Sequence, residues 1–473
     1  MDSFRGLVAI MRSASLFAVL ALALLLAASS AAYAQPPPTL LWSDPVNTNA
    51  IALSANGQYV VVGTDGGARF YGRSSSTPLW TYSAGTKITS VAISADGSYA
   101  AAGTLGKIYF WADAKSLTGS PPPTWTSRQV TGGYFEHRCL AMSDDGNTVA
   151  ACGTGENVFY WADATGKSGP NIDTTWMTYL ADQVEAIAIS DDGNHVAAAG
   201  YNINPTAGVL GYWNNAISLT GPAHPTWKGQ VTGEMFVDVA ISDDGNYVAV
   251  AGAGAPPGPS TVYYWAGATT RTGTSEPFTW GSGVDIVFSS VDISCDGDSV
   301  IAGSGIIPIG GSVQGSLNSG SSWGVYFWGG ARSLTGNPAP SWFYPTVNPV
   351  QDVAINDAGT YMAAVNLTPN LDTLYFFDKQ GNLLWQDITI SGDKLSISCD
   401  GRTLAVGTPT PLTAYLFDTG FSTPCCGVVE AVGGAVMPVN ILATLAPWLA
   451  VIGVVGCIGT IVVVVKPWKK PEN

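Results

Sequence analysis

A short apolar run, a polar turn ending in glycine and a second apolar run recur eight times along this chain. In order the copies read IALSANGQYVVVG, VAISADGSYAAAG, LAMSDDGNTVAACG, IAISDDGNHVAAAG, VAISDDGNYVAVAG, VDISCDGDSVIAG, VAINDAGTYMAAV and LSISCDGRTLAVG. The turn glycines are Gly57, Gly97, Gly146, Gly193, Gly245, Gly297, Gly359 and Gly401, spaced 40 to 62 residues apart. Each copy predicts a β-hairpin, because Asp-Gly suits a tight turn between apolar strands. A third, aromatic-rich strand follows, as in Ile108-Tyr109-Phe110-Trp111. A fourth carries a tryptophan: Trp80, Trp125, Trp176, Trp227, Trp280, Trp342 and Trp385. Four strands at this period make a propeller blade. The last copy lacks its fourth strand, and Thr39-Leu40-Leu41-Trp42 stands spare before the first hairpin. The expected fold is therefore all-β, an eight-bladed propeller closed by the N-terminal strand, which removes the raw sheet edges.

Naming the strands of a blade A to D, the A–B and C–D connections share one face of the ring, the bottom. The B–C and D–A connections share the other, the top. B–C connections are short in blades 1 to 3. They lengthen in blades 4 to 7, at Tyr201 to Gly208, Ala253 to Ser260, Ser304 to Trp323 and Asn366 to Asp372. Insertions gathered in one sector of one face suit specificity. The candidate ligand-binding residues are thus Tyr201, Asn202, Ile307, Trp323 and Asn366. Phe135, His137 and Arg138 join them from the D–A loop at the channel mouth.

The two chain ends set the surroundings. Arg5 and Arg12, the apolar run Leu16 to Ala28 and Ala32-Tyr33-Ala34 read as a signal peptide, residues 1–34. The propeller takes residues 35–420 and a stalk 421–440. Residues 441–465 are 25 uncharged residues, enough to span a bilayer as a transmembrane helix. Lys466, Lys469 and Lys470 follow it, and the positive-inside rule places the tail 466–473 in the cytoplasm. The expected setting is the cell surface, with the ectodomain outside and the bottom of the ring toward the membrane. The whole chain has a net charge of −15. The ectodomain alone holds 14 basic and 32 acidic residues, a net of −18, which repels nucleic acid. Of seven cysteines, six lie in the exported part, where disulfides persist. Counting outward from Gly146 sets Cys139 opposite Cys152. Cys295 and Cys399 share a turn position on the bottom face, where the stalk leaves. Cys425 and Cys426 of the stalk are expected to bond them, one to Cys399 and the other to Cys295.

The Ser-x-Asp-Gly hairpins resemble WD-repeat-like and pyrroloquinoline-quinone-type propellers. Asp378 to Trp385 is similar to the quinoprotein tryptophan motif. A longer signature, Trp328 to Trp342, recurs from Trp111 to Trp125 and from Trp213 to Trp227. With Pro438-Val439-Asn440 and Leu445-Ala446-Pro447-Trp448, it resembles secreted, membrane-anchored propellers of archaea. The resemblance implies the fold and the anchoring. It also suggests an alternative, an extracellular quinoprotein-like dehydrogenase. Such enzymes hold calcium with acidic and amide groups and place adjacent cysteines at the cofactor, whereas Cys425-Cys426 lies in the stalk. Three histidines, without metal-ligand spacing, and no Gly-x-Ser-x-Gly elbow or phosphate loop give no catalytic constellation. The turn aspartates Asp96, Asp145, Asp192, Asp244, Asp296 and Asp400 repeat around the ring and read as turn formers. No cofactor and no metal are expected. The reading is a non-enzymatic binding or scaffold module for an extracellular protein or glycan.

Overall fold

A computed structural model describes residues 38–129, 138–153, 156–254, 261–284, 286–305, 307–309, 312–314, 323–366, 373–390, 392–409 and 412–426. By compactness the chain divides into two units, 1–426 and 427–473; everything below concerns the first. It holds eight blades, each with four antiparallel strands in the order A-B-C-D and two of them extended by a short parallel strand at the outer edge, with the A strands of successive blades in contact. Blade 4 illustrates the plan: A is Gln183–Ile189, B His195–Ile203, C Thr206–Asn214 and D Trp227–Thr232. In blade 8, Lys394–Ile397, Thr403–Pro409 and Leu412–Asp418 are completed by the N-terminal strand Thr39–Asp44. Trp42 pairs with Leu416 and Asp44 with Ala414, so the first strand closes the ring.

The repeat encodes three contacts between blades. All eight turn glycines have positive φ, between 62° and 78°, where a side chain is strained. A Cβ there would also collide with the preceding blade; at Gly245 it would strike His195. His195 is thus a packing residue. Its Nδ1 lies 2.9 Å from the Tyr212 hydroxyl, which donates to the Gly245 carbonyl at 2.7 Å. The turn aspartates act locally. The Oδ1 of Asp192, for example, accepts from Asn194 N–H at 2.9 Å and from Ser190 Oγ at 2.6 Å.

The second contact is a latch. Each D-strand tryptophan from blade 1 to blade 7 stacks on an aromatic of its own strand C, at centroid distances of 4.9–5.4 Å. In blades 1 to 5 its indole N–H donates to a short 3-10 turn of the next blade. The acceptors are the carbonyls of Ala114, Ala164, Ala216, Ala268 and Ala331, at 2.8–3.0 Å. The residue before each turn is Asp113, Asp163, Asn215, Gly267 or Gly330, all left-handed. Those residue types tolerate that conformation. The third contact covers the outer edge. Gly119, Gly169, Gly221, Gly273 and Gly336 form parallel bridges to the D strand of the preceding blade. The long signature of blades 2 to 6 is therefore an edge cover that binds each blade to its predecessor.

Among the described residues no helix is long and apolar enough to cross a membrane. The predicted signal peptide, most of the stalk, the transmembrane segment 441–465 and the tail lie outside the described residues.

Candidate functional site

The A strands line a central channel, and the repeat can be read around it in columns. Two residues before the turn serine (asparagine in blade 7) stand Ala52, Ala92, Ala141, Ala188, Ala240, Asp292, Ala354 and Ser396. Four residues before it stand Ala50, Ser90, Cys139, Ala186, Asp238, Ser290, Asp352 and Lys394. Polar and charged side chains thus gather in blades 5 to 8, while blades 1 to 4 present mostly small or aliphatic ones. The upper chamber has a volume of about 430 Å³, in the range of small-ligand sites. Below it, a second stretch of about 360 Å³ is lined by alanine and aliphatic residues, with Asp292 its one charged residue among those described.

Arg138 crosses the top of this chamber from blade 3. Its guanidinium lies 3.1 Å from Asp352 and 3.6 Å from Asp238, and donates to the Ser289 carbonyl at 2.6 Å. It links blades 3, 5, 6 and 7. Burial pulls its pKa down, but Asp238 and Asp352 outweigh burial and raise it. The carboxylates also stitch blades together, because strand A is an inner edge with unpaired N–H groups. Asp238 accepts from Val291 N–H at 3.0 Å, Asp292 from Ile355 N–H at 2.9 Å, and Asp352 from Leu395 N–H at 2.8 Å. Burial pushes Asp238 up to about 6, opposed by Arg138, and Asp292 up to about 7, opposed by its backbone donors. Lys394 pairs with Asp393 at 2.9 Å, and burial lowers its pKa.

The bottom mouth is a ring of A–B turns. Asn56 N–H donates to Ala95, Ala95 to Asp144, Asp144 to Asp191, Asp191 to Asp243, Asp243 to Cys295 and Cys295 to Asp357, at 3.0–3.2 Å. Cys399 N–H donates to Ala55 at 2.9 Å, and Asn356 Nδ2 reaches the Cys399 carbonyl at 3.2 Å. Asp191, Asp243 and Asp357 are half-buried there, and burial raises the pKa of all three, helped by repulsion from Asp357 on Asp191, from Asp191 and Asp357 on Asp243, and from Asp144 on Asp357. Two disulfides end the described chain at this mouth: Cys399–Cys425, with Cα atoms 5.1 Å apart, and Cys295–Cys426, at 6.3 Å. Cys139–Cys152 joins strands A and B of blade 3, at 4.6 Å. Potential metal-donor atoms of Asp357, Cys399 and Cys425 lie within 4.8 Å of one another. Two of these donors are the sulfurs of one disulfide, so a single carboxylate is left.

The sequence-predicted ligand residues are scattered. Arg138 enters the channel. Tyr201 and Asn202 lie in strand B of blade 4, not in a loop, because strands B and C continue to a tight turn at Asn204-Pro205. Tyr201 is buried, and the Asn202 side chain accepts from Asp182 N–H at 3.2 Å. Asn366 ends strand B of blade 7, fully buried, and accepts from Thr373 N–H at 2.6 Å. Tyr201 and Asn366 are thus buried, whereas Asn202 is half-exposed. Trp323 packs against the core of blade 6. Ile307 belongs to a small hairpin, Ile307–Ile309 with Ser312–Gln314. Phe135 and His137 lie outside the described residues. Sequence reading missed Asp238, Asp292, Asp352 and Lys394. Comparing the blades column by column would have found them, since each replaces a small residue.

The family described as WD domain, G-beta repeat, matches residues 76–112, from strand D of blade 1 through strand C of blade 2. No curated protein matches. Among solved structures, the crystal structure of BamB from Moraxella catarrhalis is similar. It shares 16% identity with a TM-score of 0.52, over 80% of this chain and 99% of that one. At that identity the likeness shows the fold. Together the two findings support a propeller of the WD and quinoprotein-like repeat type.

Proposed function

We propose that this protein is a secreted, membrane-anchored binding propeller that captures a protein partner on the top face of the ring, without a chemical step of its own. One observation carries this reading. The three most exposed large apolar side chains among the described residues are Val347 (77%), Ile388 (70%) and Ile203 (60%). Val347 and Ile388 stand on D–A connections and Ile203 ends strand B beside the B–C turn, all in the arc from blade 4 to blade 8. Leu105 and Leu412 stand on the same face. The bottom face has exposed apolar side chains too, Leu79, Ile217 and Phe278, but less exposed ones, 36–44%; the greater apolar exposure on top favours that face for interaction, and aliphatic character suits a protein better than a glycan. The signal peptide and the segment 441–465 supply the cell-surface setting in this reading. The test is capture from native membranes by the full-length protein. Val347→Glu with Ile388→Glu should abolish capture, and Ile217→Glu on the bottom face should not. Capture unchanged by the top-face pair, in protein that melts normally, would sink the proposal.

A further inference from the structure

The channel contains a carboxylate whose neighbours do not account for it. Asp292 stands in a ring that is otherwise six alanines and Ser396. Its oxygens accept from the Ile293 and Ile355 N–H groups, each at 2.9 Å. No cation pairs with it among the described residues; the charges that bear on it are Asp238 and Asp352, both repulsive. The stitch to blade 7 does not require it, because blades 1 to 4 leave the same strand edge to alanine. Asp292 also lines both the upper chamber and the stretch below. A second, independent observation points to a ligand. On the facing wall, in blade 2, Ser90 lines the upper chamber and is 3% exposed, and its hydroxyl has no hydrogen-bond partner among the described residues. A buried hydroxyl left in this way costs free energy unless something fills the space. Between the two lie aliphatic walls of Ile51, Leu140 and Ile187. The acids that line the chamber, Asp238, Asp292 and Asp352, outnumber its bases, Arg138 and Lys394, and both bases are already paired.

We propose that the channel takes up an organic cation, an alkylammonium or alkylguanidinium group, with Asp292 as its counter-ion, its alkyl arm along the aliphatic wall and Ser90 as a further polar contact. A divalent metal fits less well, since it needs six or more oxygen donors and the alanine ring supplies one carboxylate. The cation has two sources of the same chemistry: a free amine, or a lysine or arginine side chain of a captured protein. The site does not depend on capture at the top face, and each is tested separately.

The experiment is calorimetric titration of the full-length protein with n-butylammonium, n-butylguanidinium and, as neutral control, n-butanol. The cations should bind and n-butanol should not. Asp292→Asn should weaken binding roughly tenfold to a hundredfold, the worth of a charge-assisted contact. Ala188→Lys places a built-in cation in the same ring and should abolish binding with the fold intact, which covers the case of a misfolded Asp292→Asn. Undetectable binding at millimolar cation, equal binding of n-butanol, or full binding by Asp292→Asn would overturn the proposal. With binding established, elution of a captured partner by n-butylguanidinium assigns the cation to that partner's side chain. Capture insensitive to it assigns a free amine.

Discussion

At the scale of single residues, the repeat spends its tryptophans on the joints between blades. Trp227 is fully buried and donates to Ala268 at 2.8 Å, whereas the Trp385 indole N–H has no partner among the described residues, where no C–D loop follows in blade 8. Trp227→Phe should therefore destabilise the protein by at least about 1 kcal/mol more than Trp385→Phe, the net worth of one hydrogen bond. Equal losses in chemical denaturation would show that the latch contributes nothing. The acidic ring at the bottom mouth gives a pH dependence. Asp191, Asp243 and Asp357 all have folded pKa values above the ordinary 3.8, and Asp357 reaches about 6. A raised carboxylate pKa means the folded state holds protons that the unfolded chain has released. Its contribution is complete below pH 3.8 and fades as pH rises through the folded pKa. Melting temperature should fall from about pH 5 toward pH 8, and Asp243→Asn should flatten the fall. A melting temperature that rises over that range in both proteins would remove the ring from the account.

Elements explain why the fold was legible in the sequence and much of the site was not. A turn glycine must combine positive φ with close approach to the preceding blade, so it recurs visibly at Gly57, Gly97 and their counterparts. The tryptophan of each fourth strand recurs as visibly, and its absence after strand C of blade 8 made the missing strand noticeable. Deleting residues 39–44 removes Trp42, which is nearly buried against Tyr71 at 4.9 Å, along with its pairing to strand C of blade 8. The loss should be at least about 3–5 kcal/mol, the cost of emptying a large aromatic site, seen as a lower melting temperature. Melting unchanged by the deletion would mean that the ring closes otherwise. Loop length was a poorer guide. The insertion at Tyr201 to Gly208 became strand, because Val209, Leu210 and their neighbours continue the apolar pattern and pair outward to Thr206. At the other mouth, non-reducing peptide mapping should recover Cys295 with Cys426 and Cys399 with Cys425. A Cys425–Cys426 bond would contradict both links. Replacing Cys399 and Cys425 by serine should cost about 2–4 kcal/mol, as for disulfides generally.

Across the whole molecule, the ring has two unlike mouths. The bottom carries the turn carboxylates and the disulfides at the end of the described chain. The top carries the Arg138 crossing, the wider chamber and the most exposed apolar side chains. Sequence reading reached the top face through loop lengths, yet the residues it singled out there, Tyr201 and Asn366, are buried in strand ends. Val347 and Ile388 carry the exposed surface instead. They sit in short D–A connections with no repeat pattern of their own, so exposure alone distinguishes them, and exposure is not written in the sequence. The polarity of the molecule is the central claim, and site-specific photocrosslinking in native membranes tests it most directly. A photoreactive residue at position 347 or 388 should crosslink to the captured partner, and one at position 79 or 217, on the bottom face, should not. Crosslinks from 79 and 217 with none from 347 and 388 would contradict the account.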